Sequence, residues 1–316
     1  MAHTSLTSLL DGLAKQDPRA IGRAISIVED NGPEADAILL SLDRDLVKNT
    51  TVLGITGPPG AGKSTLTSQI ISTCRSRGER VGIIAIDPTS PLSGGAILGD
   101  RIRMMRHSLD RDVIVRSMAT RGRLGGLCGA AGAAVRIMAG AGCQRIIIET
   151  VGVGQSEMDI IRLADITALV MAPGLGDDIQ AMKAGLLEVA DLLVINKADM
   201  AGAETLFMDM EAVAHERADK SNRPIAVCRT VASEGKGVEE LLAEIAALEN
   251  QHRASGEHDR RRSRSYDLEV LDWAMEMMRP HILQKIQKDS GERWGDPKLQ
   301  AANILKQMKV DHDKIS

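Results

Sequence analysis

The chain has 316 residues, 39 basic and 43 acidic, for a formal net charge of −4. That length buries a sizeable core without disulfide or metal staples, and that charge balance excludes a global attraction to nucleic acid or to an acidic membrane. Aromatic residues make up only 1%, which excludes base stacking on aromatic platforms and leaves the core to aliphatic residues and methionine.

The opening stretch MAHTSLTSLLDG has neither the charged start nor the apolar run of a secretory signal, and no later run reaches spanning length, so the expected setting is the cytoplasm. Across residues 1–49 apolar positions recur at helical spacing (Ile21, Ile25 and Val28, then Ala35, Ile38, Leu42 and Leu46), broken at Asn31-Gly32-Pro33. A helical N-terminal extension is expected there. From 50 to 249 the pattern changes to short apolar runs between amphipathic stretches: VLGIT, VGIIAID, VIVRS, RIIIE, ITALVMA, LLVIN and IAVC. Seven buried strands separated by helices predict an α/β domain with a doubly wound, mostly parallel sheet. Four cysteines, Cys74, Cys128, Cys143 and Cys228, make no CxxC or His-paired cluster and read as reduced core thiols.

After Leu248 the chain turns polar through ENQHRASGEHDRRRSRS, which has no apolar period and reads as a linker or exposed hinge at a domain boundary, with a C-terminal helical arm expected over 250–316. Beyond it Leu268, Leu271, Met275, Met278, Ile282 and Ile286 share one helix face, with Pro280 as the expected kink. Such a stripe either packs on the protein's own core or serves as a dimerisation arm.

The first strand runs into Gly57-Pro58-Pro59-Gly60-Ala61-Gly62-Lys63-Ser64-Thr65, a Walker A pattern between a strand and a helix, which defines a P-loop NTPase fold. Glycines let successive amides turn toward phosphate oxygens, Lys63 supplies a cation to the β- and γ-phosphates, and Ser64 offers a hydroxyl to Mg2+. Glu149, at the end of RIIIE, has the position of a Walker B acid, and Gly152 follows where an amide senses the γ-phosphate. Asp87, ending VGIIAID, and Asp100, after PLSGGAILG, are further Mg2+ candidates. For Asp100 a helix N-cap is an equal reading.

Asn196-Lys197-Ala198-Asp199 directly follows LLVIN. The Asp199 carboxylate can accept both guanine N1–H and N2–H, a paired contact that adenine cannot satisfy. Val231-Ala232-Ser233, after IAVC, would complete the base pocket mainly through backbone groups. Two Gly-rich loops, from Gly152 to Glu157 and from Pro173 to Asp178, are expected to order on GTP and relax on hydrolysis. Within the first, Gln155 either orients water or caps a helix. Arg121 and Arg123 of TRGRLGGL read as a partner-contacting loop or as a solvated pair.

The motifs GPPGAGKST, IDPTSP, GGAILGDRIRM, TRGRLGGL, ETVGVGQSE, GDDIQAMKAG and NKAD, in that order, closely resemble the MeaB type of metallochaperone GTPase, the methylmalonyl-CoA mutase-associated GTPases also known as ArgK-like or LAO/AO transport ATPases. The resemblance covers residues 15 to 250. It implies a GTP- and Mg2+-dependent chaperone that gates adenosylcobalamin loading into an acyl-CoA mutase and guards that enzyme against inactivation. It also implies that Asp87, Asp100 and Glu149 belong to the metal and switch network, that Asp177 and Lys183 lie in a partner-responsive third switch, and that the protein is a homodimer joined by its C-terminal arm. A nickel-insertion GTPase would carry His- or Cys-rich tracts, whereas the seven histidines here are unclustered. A P-loop kinase acting on a transport protein would have no use for NKAD.

Overall fold

The computed structural model describes residues 5–87, 107, 109–119, 126–150, 156–175, 185–221, 225–288 and 296–312. They divide into two compact units, Met1–Tyr266 and Asp267–Ser316.

Four helices open the first unit: α1 (Leu6–Ala14), α2 (Pro18–Glu29), α3 (Ala35–Leu40) and α4 (Arg44–Asn49). Local chemistry sets their starts. The Ser5 hydroxyl accepts from the Ser8 amide, Asp17 caps a helix whose first residue is Pro18, and the Asp43 carboxylate takes the Asp45 and Leu46 amides. The seven expected strands then follow: β1 (Thr51–Thr56), β2 (Val81–Asp87), β3 (Val113–Ala119), β4 (Arg145–Thr150), β5 (Ile166–Met171), β6 (Leu192–Ile195) and β7 (Ala226–Arg229). Between and after them lie α5 (Lys63–Ser76), α6 (Gly126–Gly140), α7 (Ser156–Leu163), α8 (Leu186–Val189), α9 (Ala203–Ser221) and α10 (Val238–Ala254). The sheet order is β3-β2-β4-β1-β5-β6-β7, with every described pairing parallel.

Strand alternation divides the core. Val52, Ile146 and Ile148 face one layer, while their neighbours Leu53, Ile55 and Ile147 face the other. The first layer holds α6, α7 and the N-terminal helices; Ile21, Ile25 and Ile38 are fully buried in it, each stabilising by about 1.5–3 kcal/mol. The N-terminal helices pack mainly on α6, with α2 also reaching β3. The second layer holds α5 and α10, and a third cluster seats α8 and α9 against Leu169, Met171, Leu193 and Ile195. Burial pushes the Cys74 thiol up to about 11 and those of Cys143 and Cys228 to about 12, in keeping with reduced, inert cysteines.

The polar stretch expected as a linker is helical instead. Helix α10 continues to Ala254, and α11 (Glu257–Lys288) begins three residues later. Arg261 forks onto Asp191 at 2.7 and 2.8 Å; Arg262 forks onto Asp165 at 2.6 and 2.7 Å and donates to the carbonyls of Val47 and Thr50. Asp165 and Asp191 stand just before β5 and β6, and each also accepts a backbone amide, from Val52 and Thr167 respectively. The packing here is polar, so no apolar period announces it.

In the second unit α11 continues through Pro280, and α12 (Pro297–His312) follows. Leu271, Met275, Met278 and Ile286 of the expected stripe are exposed, whereas Leu268 and Ile282 are half-buried.

Candidate functional site

A parallel sheet collects loop residues at the carboxyl ends of its strands, where ligands of such folds sit. Here that edge carries 57–65 after β1, Asp87 closing β2, Glu149 near the end of β4, Asn196 after β6 and Thr230 after β7. The pairing of Ile55 with Glu149 sets the acid beside the start of the glycine loop.

The loop requires its glycines. Gly57 has φ of 141°, and a Cβ there would lie 2.0 Å from the Val170 carbonyl oxygen. Gly62, at φ 89°, is the N-cap of α5, and a Cβ would come 2.4 Å from Asn196 Nδ2. Among the described residues no side chain caps α5, so its first amides and its dipole face outward as an anion site. Gly57, Pro58 and Ala61 are buried, whereas Pro59, Gly60 and Thr65 are exposed. Lys63 is only 6% exposed, and its Nζ donates to the carbonyls of Gly57 at 2.7 Å and Pro58 at 3.0 Å. The cation thus sits inside the loop that would receive phosphate.

Ser64 Oγ donates to Glu149 Oε1 at 2.6 Å, with Glu149 buried. A hydroxyl and a carboxylate so juxtaposed are hard oxygen donors of the kind Mg2+ takes, so these residues fit that ion. At Asp87 the backbone alone is described. Asp100, Gly152 and Gln155 lie outside the described residues, as do Arg121, Arg123, Asp177 and Lys183. Among the described residues no cluster of three or more acids, histidines or cysteines forms a metal-binding group.

Asn196, 2% exposed, joins three segments. Its Nδ2 donates to the Ala61 carbonyl at 2.9 Å, and its Oδ1 accepts from Thr230 Oγ1 and the Ala232 amide, both at 3.1 Å. Lys197 follows in the left-handed region at φ 56°, and the Ala198 amide donates to the Thr230 carbonyl. That turn leaves Asp199 exposed beyond the loop. The segment from Val231 to Lys236 closes on itself through the Val231 amide and the Lys236 carbonyl, with Ala232 buried and Ser233 exposed. Sequence reasoning missed Thr230; the available signal was a polar residue between β7 and Val231.

A phosphate-cradling loop, an acid on the neighbouring strand and an NKAD turn tied to that loop, on an all-parallel sheet, define a P-loop GTPase. The profile described as "Methylmalonyl Co-A mutase-associated GTPase MeaB" matches residues 21–290, and the chain belongs to that family. A Pyrococcus horikoshii protein carried under a GTPase name is 49% identical over 246 residues, 76% of each chain. The Escherichia coli "GTPase ArgK" is 35% identical over 77% of this chain and 76% of its own. The mouse "Methylmalonic aciduria type A homolog, mitochondrial" is 32% identical over 87% of this chain and 70% of its own. The same fold occurs in a crystal structure of an LAO/AO transport system kinase, with TM-score 0.67, 22% identity and coverage of 98% and 99%.

Proposed function

We propose that this GTPase uses GTP binding and hydrolysis to gate adenosylcobalamin loading into a cobalamin-dependent acyl-CoA mutase, and to protect that mutase. The observation that carries the reading is the match to the mutase-associated family across residues 21–290.

In this account the amides of Gly60 to Thr65 and the Lys63 ammonium hold the phosphates of GTP or GDP. Ser64 and Glu149 hold Mg2+, with Asp87 and Asp100 in the same network; when bound, the ion neutralises charge developing on the phosphate oxygens. Gly152 senses the γ-phosphate and Gln155 orients the attacking water. Asp199 reads guanine, and Asn196, Lys197 and the segment from Val231 to Ser233 shape its pocket. The exposed apolar positions of residues 250–316 join two copies as a homodimer in the cytoplasm. Support for the dimer comes from Leu271, Met275, Met278 and Ile286, a face at helical spacing left open in its own unit.

The test is a pull-down of an adenosylcobalamin-dependent methylmalonyl-CoA mutase by the full chain, repeated with GDP and with a non-hydrolysable GTP analogue, while cofactor transfer is followed by absorbance. A complex and a transfer rate that both change with the nucleotide are expected. Absence of a complex in every nucleotide condition would overturn the reading.

A further inference from the structure

The opposite edge of the sheet, where the strands begin, carries a separate feature. A cavity of ≈ 370 Å³ is lined by residues of α3, α4, α6 and the first turns of α11. Its volume falls in the range of small-molecule sites, roughly 300–1,000 Å³. Leu39, Leu40, Leu42 and Val47 give it an aliphatic lining, and Leu40 stands 79% exposed among them.

Charge at this cavity runs against the chain as a whole. The lining holds Arg44, Lys48 and Arg136, together with Arg262, whose charge Asp165 matches, against the single carboxylate of Asp259, in a protein of net charge −4. Arg262 is fixed in place by Asp165 and by the carbonyls of Val47 and Thr50. His258, 4% exposed, completes the wall, its Nδ1 3.2 Å from Asp259 Oδ1. Arg262 and His258 are thus held in place before any ligand arrives, which lowers the ordering cost of binding on that side.

We propose that this cavity binds a small anionic amphiphile, a carboxylate or phosphate head on an aliphatic chain. The head meets the exposed cations of Arg44 and Lys48, and the chain lies on the leucines and Val47. Apart from the His258 ring the lining has no aromatic side chain on which a base would stack, so an aliphatic tail fits better than a nucleoside. None of these lining residues belongs to the nucleotide edge.

Calorimetric titration of the full chain tests it, with octanoate and octyl phosphate below their micelle concentrations, and octanol, octyltrimethylammonium and inorganic phosphate alongside. At least one anionic amphiphile should bind saturably, about tenfold or more tighter than octanol, the cation or bare phosphate; which head wins distinguishes a fatty-acid-like from a phosphorylated ligand. The double variant Arg44→Glu/Lys48→Glu, changed at two exposed positions, should weaken that binding at least tenfold while GDP affinity and the unfolding temperature stay unchanged. Absence of saturable binding, octanol binding as tightly, or indifference to the double reversal would each overturn the proposal.

Discussion

Asn196 donates its side-chain amide to the carbonyl of Ala61 at 2.9 Å, binding the turn that follows β6 to the glycine loop that follows β1. The same side chain accepts from Thr230 and Ala232, so one buried residue fixes the relative position of three loops. Replacing it with alanine strands the Ala61 carbonyl and the Ala232 amide. Asn196→Ala should lose about 2–4 kcal/mol of stability by urea unfolding, since each stranded buried group costs about 1–3 kcal/mol. GDP affinity should fall with it; a variant within about 0.5 kcal/mol of the parent would contradict this bridging role.

The exposed Asp199 lies past the turn that Asn196 anchors. Asp199→Asn exchanges an acceptor pair for an acceptor and a donor, which suits xanthine in place of guanine. Affinity for GDP should drop about 100-fold or more while that for xanthosine diphosphate rises, a discrimination typical of sites that pair polar groups with the ligand. Equal GDP binding by both proteins in a competition assay would remove Asp199 from the base site.

Arg262→Ala would leave the Asp165 carboxylate, whose side chain is 6% exposed, without its fork. Breaking one half of a buried pair costs about 3–5 kcal/mol, whereas the exposed neighbour Arg264 should tolerate alanine within about 0.5 kcal/mol. Urea midpoints of the two variants make the comparison; equal midpoints would show that the fork adds nothing to stability.

The Asp110 carboxyl is held below its ordinary value of 3.8, first by the hydrogen bond from Arg75 and next by the Asp112 amide. With the folded pKa depressed, this contribution is complete above the ordinary carboxylate value and is lost as pH falls through the lowered one. Arg75→Gln should therefore flatten the fall of unfolding free energy below about pH 4, measured by urea titration at stepped pH. An unchanged slope would contradict the linkage.

All seven strands, the glycine loop and the NKAD turn were legible because each rests on a local pattern: an apolar run, or glycines where the backbone must turn. The two arginine forks were not. Arg261 and Arg262 looked like a solvated run because their partners, Asp165 and Asp191, are far off in sequence. A repeated Ala-Asp ahead of β5 and β6 was the one trace. Thr230 was missed for a related reason: its value lies in a contact with Asn196, 34 residues away. Residues 1–49 read as helical, but a stripe such as Ile21, Ile25 and Val28 does not reveal which surface it will cover.

GTP turnover by the wild-type chain and by Lys63→Ala, each with and without an adenosylcobalamin-dependent acyl-CoA mutase, separates a mutase-responsive GTPase from a generic one. Unassisted turnover should be slow, about 10⁻⁴ to 10⁻² s⁻¹, and the mutase should raise it severalfold in the wild type alone, with Lys63→Ala inactive in both conditions. A wild-type rate indifferent to the mutase would rule out the mutase as its partner, and a Lys63→Ala rate equal to the wild type would remove Lys63 from the nucleotide site.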